Sequence, residues 1–217
     1  MKNTCCGGYF FYFCTMLFNA ENIKKALSQS LPGSVSHRKM LPNNRELSAS
    51  PEELKTVKHS SVLLLLFIEN NELNVCLIKR TAHMKHHASQ IGLPGGRIEK
   101  GETALETAFR ETWEEIGISR KKIEILGSLS ELYVQVSGFQ IHPFVGWLNK
   151  KPEFIVNKNE VEKTISFPLK LITNSIEEVE MNTISGQLKV PCIRFEDEII
   201  WGATAMILLE FADVLGL

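Results

Sequence analysis

The chain has 217 residues, 44% hydrophobic and 23% charged, a balance that excludes a disordered, collagen-like or coiled-coil chain and leaves room for one domain with a sizeable core. Its 24 basic and 25 acidic residues give a formal charge of -1, which excludes the basic excess of a protein that holds nucleic acid by neutralising phosphates. Cys5, Cys6, Cys14, Cys76 and Cys192 are odd in number and form no C-x-x-C pair, so neither a disulfide framework nor a zinc site is expected and a cytoplasmic setting fits.

Residues 9–18 are the most apolar run, yet too short for the roughly 20 residues of a membrane span, and no small-x-small cleavage pattern follows. Residues 1–19 are therefore expected to be a tail outside the fold, with Met16 as the natural start, and 20–217 a single domain with no membrane partner. Ile23, Ala26, Leu27 and Leu31 recur at helical spacing over 20–31, and Pro32-Gly33 ends that helix. Residues 34–60, rich in Ser, Pro, Asn and charge, read as a connecting arm rather than core. Apolar runs at 61–68 and 73–80 flank the polar Glu69-Asn70-Asn71-Glu72 turn and predict a buried hairpin, followed by a loop over 81–97. A helix is expected at 103–116, strands near 122–134, 139–148 and 161–167, a strand pair around 177–200, and a last helix at 202–215. This mixed order predicts an α+β layered domain, an α/β/α sandwich.

Thr103 with Glu106 three residues on is a capping box, and Gly117 is placed to end the helix it starts. On that helix Glu111, Glu114 and Glu115 stand at i,i+3 and i,i+4, so three carboxylates share one face. Their repulsion is relieved by a bound divalent cation, and oxygen-only ligands suit Mg²⁺ or Mn²⁺ rather than Zn²⁺. Arg110 can pair with Glu102 or with Glu106 and fix the loop before the helix. A single Glu-Glu pair would be read as a solvated acidic face. The longer pattern is Gly96, five residues, Glu102, seven residues, Arg110-Glu111, two residues, Glu114-Glu115, one residue, Gly117 and Ile118. It has a chance probability on the order of 10⁻⁸ per window at ordinary residue frequencies.

This segment resembles the Nudix box at every fixed position, with Thr112 standing where an aliphatic residue is preferred. The resemblance implies a mixed sheet between helices and hydrolysis of a nucleoside diphosphate linked to another group. It implies metal ligation by Glu111, Glu114, Glu115 and the Gly96 backbone, catalysis by Glu111, Glu114 and Arg110, and structural roles for Gly96, Glu102 and Gly117. The residue that takes the proton from water is placed in the box, with Glu160 or Glu162 downstream as alternatives.

Between Leu73 and Ile98 there is no acid, while Lys79, Arg80, Lys85 and Arg97 supply four positive charges beside His83, His86 and His87; residues 99–115 carry six Glu and two cations. A polyanion and a metal would meet where these stretches adjoin. The order Leu77-Ile78-Lys79-Arg80-Thr81, Met84 to Ile91 and Leu93-Pro94-Gly95-Gly96 resembles the extended motif of the coenzyme A diphosphatase branch. It departs from that motif at Lys85 for Arg, Ser89 for Gly and Leu93 for Phe. Lys keeps charge but loses bidentate geometry, and Ser restricts a backbone that Gly frees. Weaker resemblance continues at 137–146 and at Ile200-Trp201-Gly202-Ala203-Thr204-Ala205, where Trp201 also reads as core packing. The implied reaction splits coenzyme A or acyl-coenzyme A into 3′,5′-ADP and a phosphopantetheine, with Arg80, Lys85, His87 and Arg97 binding substrate. Another diphosphate, such as ADP-ribose or a dinucleotide, is the alternative enzyme reading. A non-catalytic nucleotide sensor is the alternative of another class, against which the intact glutamates count. The expected partner is a small nucleotide; a homodimer stays open.

Overall fold

The computed structural model describes residues 18–42, 45–83, 88–183 and 186–217. Residues 1–17, which hold most of the expected tail, lie outside the described residues, as do Lys85, His86 and His87.

The continuous apolar run Val62–Ile68 belongs to a strand, β1 (Lys58–Glu69), that starts three residues before the run expected from its sequence. It turns through Asn70 and Asn71, both in left-handed backbone (φ 51° and 60°), into β2 (Glu72–Arg80). Two consecutive positive φ values make a type I′ hairpin turn, and Asn is among the few side chains that tolerate them. The segment expected to be a loop carries two short strands, β3 (Ile91–Gly92) and β4 (Gly95–Arg97). β5 (Glu124–Ser128), β6 (Leu132–Val134), β7 (Phe139–Trp147) and β8 (Val161–Pro168) complete a mixed sheet. Among the described residues its order is β3-β2-β1-β7-β5, with β4 on β1, β6 on β7 and β8 on β2; β1 and β7 run parallel over nine register pairs.

Alternate β1 residues point to opposite sides, and both sides are covered, which is why β1 reads as unbroken apolar sequence. Leu63, Leu65 and Phe67 pack with Cys76 and Ile78 against Ala108 and Ile116 of the box helix, α4 (Ala104–Ile116). Leu64 and Leu66 face the larger cluster with Ile23 and Leu27 of α1 (Ala20–Leu27) and Ala205, Leu208, Leu209 and Phe211 of α5 (Gly202–Leu215). The result is the expected α/β/α sandwich. A second antiparallel sheet, β9 (Ile176–Thr183), β10 (Gly186–Phe195) and β11 (Glu198–Trp201), leads into α5; it holds three strands where a pair was expected.

Two expectations need correction at the N-terminal end. The first helix stops at Leu27 rather than near residue 31: the Ser28 side chain donates to the Lys25 carbonyl and competes for the helix's last acceptors. The region 34–60 is more than an arm, because it contains α2 (Ser34–Arg38) and α3 (Pro51–Leu54), and Ser36, His37 and Met40 are buried. His37 Nε2 lies 2.9 Å from Glu210 Oε2, and the other carboxylate oxygen accepts from the backbone N–H of Gly33 and of Ser130, both at 3.2 Å. Ser36 and Lys39 bond Asp213 one turn later on α5. No helix among the described residues is long and apolar enough to cross a membrane.

Candidate active site

The capping box forms as its spacing requires: Thr103 accepts from the Glu106 N–H, and Glu106 accepts the Thr103 N–H at 2.8 Å. Gly117 ends α4 at φ 72°, and a Cβ there would stand 2.7 Å from Ile155 Cβ, so conformation and space both demand glycine. The Thr112 hydroxyl, in a buried position, is satisfied by the Ala108 carbonyl at 2.7 Å.

Arg110 chooses Glu102 over Glu106. Its Nε and Nη2 lie 2.7 and 3.1 Å from the two Glu102 oxygens, and Nη2 also donates to the Arg97 carbonyl. Hydrogen bonds from Arg110, with Thr107 adding another, hold the Glu102 carboxyl down at about 2. The same guanidinium reaches Glu111 Oε1 at 2.8 Å and Glu114 Oε2 at 3.0 Å, so Arg110 ties the loop before α4 to two of the three glutamates. These contacts let Arg110 hold the loop and the glutamates in register.

β4 brings the backbone to the carboxylates. Gly96 pairs with Ser61 on β1, and a Cβ at Gly96 would enter the Glu111 carboxylate. Glu115 is fully buried; its Oε2 accepts the Gly95 N–H at 2.9 Å, while Oε1 stands 3.1 Å from Arg80 Nη2. That Arg80 contact is an ion pair without hydrogen-bond alignment, leaving Oε1 as a buried oxygen with no hydrogen-bond donor. Burial pushes the Glu115 carboxyl up to about 7, against the opposing pull of Arg80 and the Gly95 N–H; burial also raises Glu111, against Arg110. Glu160 adds a negative field at both groups.

As placed, no three acidic or histidine groups among the described residues close on one point, because Arg110 draws Glu111 and Glu114 while Glu115 turns toward β4. The donor set still suits a hard divalent cation: carboxylates confined to one helix, one buried oxygen lacking a donor, and a glycine backbone pressed against Glu111. Of the expected substrate cations, Arg80 lies against Glu115 and donates to the Gly95 carbonyl, and Arg97 is exposed, whereas Lys85 and His87 lie outside the described residues. Lys79 lies 3.0 Å from Glu198 and 3.7 Å from Glu162. Ser89 takes φ 59°, a left-handed backbone that glycine adopts more readily than serine. Reading the sequence alone missed the Arg80–Glu115 contact, since charge spacing along the chain carries no record of the β2–β4–α4 juxtaposition.

A helix whose glutamates press on a glycine-bearing strand beside a mixed sheet defines a class, and comparison with known proteins agrees. The NUDIX domain family matches residues 57–181. The protein named Nudix hydrolase 3 of Caenorhabditis elegans is 36% identical over 112 residues, 50% of this chain and 47% of its own length, so the chain spans about half of that relative. A protein called uncharacterized Nudix hydrolase NudL, from Yersinia enterocolitica, is 30% identical over 166 residues, 75% of this chain and 85% of its own. The crystal structure of a MutT/nudix family protein from Enterococcus faecalis aligns with a TM-score of 0.50 at 19% identity, over 90% of this chain and 73% of the other. The chain belongs to the NUDIX family and is a hydrolase of phosphorus anhydrides.

Proposed function

We propose that this enzyme hydrolyses the diphosphate bond of coenzyme A or acyl-coenzyme A, giving 3′,5′-ADP and phosphopantetheine or its acyl form. The observation that carries the reading is Arg80. It belongs to the segment that resembles the coenzyme A branch, and its guanidinium stands 3.1 Å from both Glu115 and the Gly95 carbonyl, so the cationic segment and the box helix meet. Ser89, at the position where that branch carries glycine, takes φ 59°, a backbone that glycine adopts without strain.

In this reading Glu111, Glu114, Glu115 and the Gly96 backbone hold Mg²⁺ or Mn²⁺. Such an ion, when bound, neutralises the diphosphate and makes a coordinated water more acidic. Water adds to one phosphorus, the bridging oxygen leaves with the other, and Glu111 takes the water proton, a role suited to a carboxyl raised by burial. Arg80 and Arg97, with Lys85 and His87, bind the anionic substrate; Arg110 and Glu102 keep the glutamates in place, and Gly117 closes their helix. Residues 20–217 form the one catalytic domain, and an odd number of cysteines with no C-x-x-C pair fits a cytoplasmic setting.

The test is incubation with Mg²⁺ or Mn²⁺ and a panel of coenzyme A, an acyl-coenzyme A, ADP-ribose, dinucleotides and nucleoside triphosphates, with products identified by mass. Release of 3′,5′-ADP from coenzyme A at a kcat/KM at least tenfold above the others is expected. Preferred turnover of ADP-ribose or a dinucleotide would replace the substrate, and no turnover at all would remove the reading.

A further inference from the structure

Three side chains that spacing along the chain does not connect form a hydrogen-bonded line beside the box. His59 Nδ1 lies 3.0 Å from His142 Nε2, and His142 Nδ1 lies 3.0 Å from Glu131 Oε1. Gln140 donates to the second Glu131 oxygen at 3.1 Å. A carboxylate oxygen only accepts, so His142 donates from Nδ1; with His142 as the neutral imidazole its Nε2 accepts, and His59 donates from Nδ1. The line therefore leaves His59 Nε2 as the nitrogen with a free lone pair, on an exposed residue.

Its place follows from strand register. Cross-strand partners share a face, so Ser61 faces the same way as Gly96, toward Glu111. His59 is two residues earlier on β1 and shares that face, about 7 Å along the strand. His142 is the register partner of Ser61 on β7, and Ser61 Oγ donates to its carbonyl at 3.1 Å. The His59 carbonyl accepts the Ile98 N–H of the box loop at 3.0 Å. The imidazole thus stands on the same side of the sheet as Glu111, about two strand residues from the Gly96 register.

We propose that His59, oriented by His142 and Glu131, is a phosphomonoester subsite that takes the phosphate of the substrate's adenosine end while the diphosphate lies at the box. This rests on the coenzyme A reading, which supplies a 3′-phosphate. An ionised phosphate oxygen only accepts, so the bond forms when Nε2 takes the remaining proton of the monoanionic phosphomonoester, or one from solvent, and it is then a charge-assisted hydrogen bond. Glu131 supplies the counter-charge through His142, which is a positioning residue, as is Glu131.

The test uses the ¹⁵N-labelled full chain with adenosine 3′,5′-bisphosphate, AMP and inorganic phosphate as probes, read by imidazole ¹⁵N shifts and by calorimetry. The bisphosphate is expected to move the His59 Nε2 resonance and to bind about tenfold more tightly than AMP, the increment of one charged hydrogen bond. In His59→Gln that preference is expected to fall below threefold. In Glu131→Gln it is expected to shrink along with a changed tautomer signature at His142. Equal affinities in the wild type, an unchanged preference in His59→Gln, or a shift produced as strongly by inorganic phosphate alone would overturn the subsite. No turnover enters these readouts. A bisphosphate preference in a chain that fails to split coenzyme A removes the substrate and keeps the subsite; coenzyme A turnover without the preference does the reverse.

Discussion

Two demands pull the Glu115 carboxyl in opposite directions. Burial favours its neutral form, while Arg80 and the Gly95 N–H favour the charged one, and it settles at about 7. A glutamine keeps the volume and can still accept the Gly95 N–H, but it presents no charge to a cation. Glu115→Gln is expected to lower turnover by about 10²–10³-fold, the scale of losing one electrostatic stabiliser, while its denaturation midpoint stays near that of the wild type; wild-type turnover would refute the ligand assignment. Ser89 offers a test in the other direction. At φ 59° a serine bears a cost of roughly 1 kcal/mol that glycine does not. Ser89→Gly is expected to gain a few tenths to about 1 kcal/mol after the entropy of a freer unfolded chain is counted. Urea unfolding checks this, and a lower midpoint would contradict it. The box residues were legible because seven specified positions lie within a short stretch whose helix fixes their spacing. Arg80 against Glu115, and His59 against His142 and Glu131, were not, because register between strands decides those contacts.

Among elements, α4 was the most legible: its start, its end and its acidic face all follow from local rules. The segment bearing α2 was the least. Serine, histidine and lysine in a Pro- and Gly-punctuated stretch look solvated, yet Ser36 and His37 are buried because Glu210 and Asp213 of α5 come to meet them. This docking should be sensitive to acid. Burial pushes the Glu210 carboxyl up, but hydrogen bonds from His37 and Ser130 outweigh it and hold the group below its ordinary 4.5. A depressed carboxyl contributes stability that is fully present above the unfolded value and is lost as pH falls through the folded one. Glu210→Gln is expected to cost about 1–3 kcal/mol at pH 7, with the gap to wild type narrowing in urea titrations at pH 3.5. A gap that widens in acid would contradict the sign.

For the whole molecule, the two sheets meet through a shared charge. Glu198 on β11 lies 3.0 Å from Lys79 of β2 and 2.9 Å from Lys163 of β8. Removing the acid leaves two neighbouring ammonium groups opposed, so Glu198→Gln is expected to speed amide exchange in β9–β11 while the β1–β7 pair keeps its protection. Unchanged exchange in the small sheet would show that apolar packing alone holds it. The same network alters the meaning of the near-zero net charge. The cationic stretch 73–98 and the acidic stretch 99–115 do not face each other as two open surfaces, since Lys79 is bound by Glu198 and Arg80 is set into the carboxylate site.

The sequence by itself determined the helical box and its caps, the β1–β2 hairpin, the layered α+β class and the kind of chemistry, because each rests on periodicity, turn residues or fixed spacing within a few turns of chain. Tertiary structure alone decided which cation sits on Glu115, which acids bury the N-terminal helices, and which imidazole opens beside the box. Those contacts join residues far apart in the chain, and only the pairing of strands and the docking of α5 bring their charges close enough, and dry enough, to act on one another.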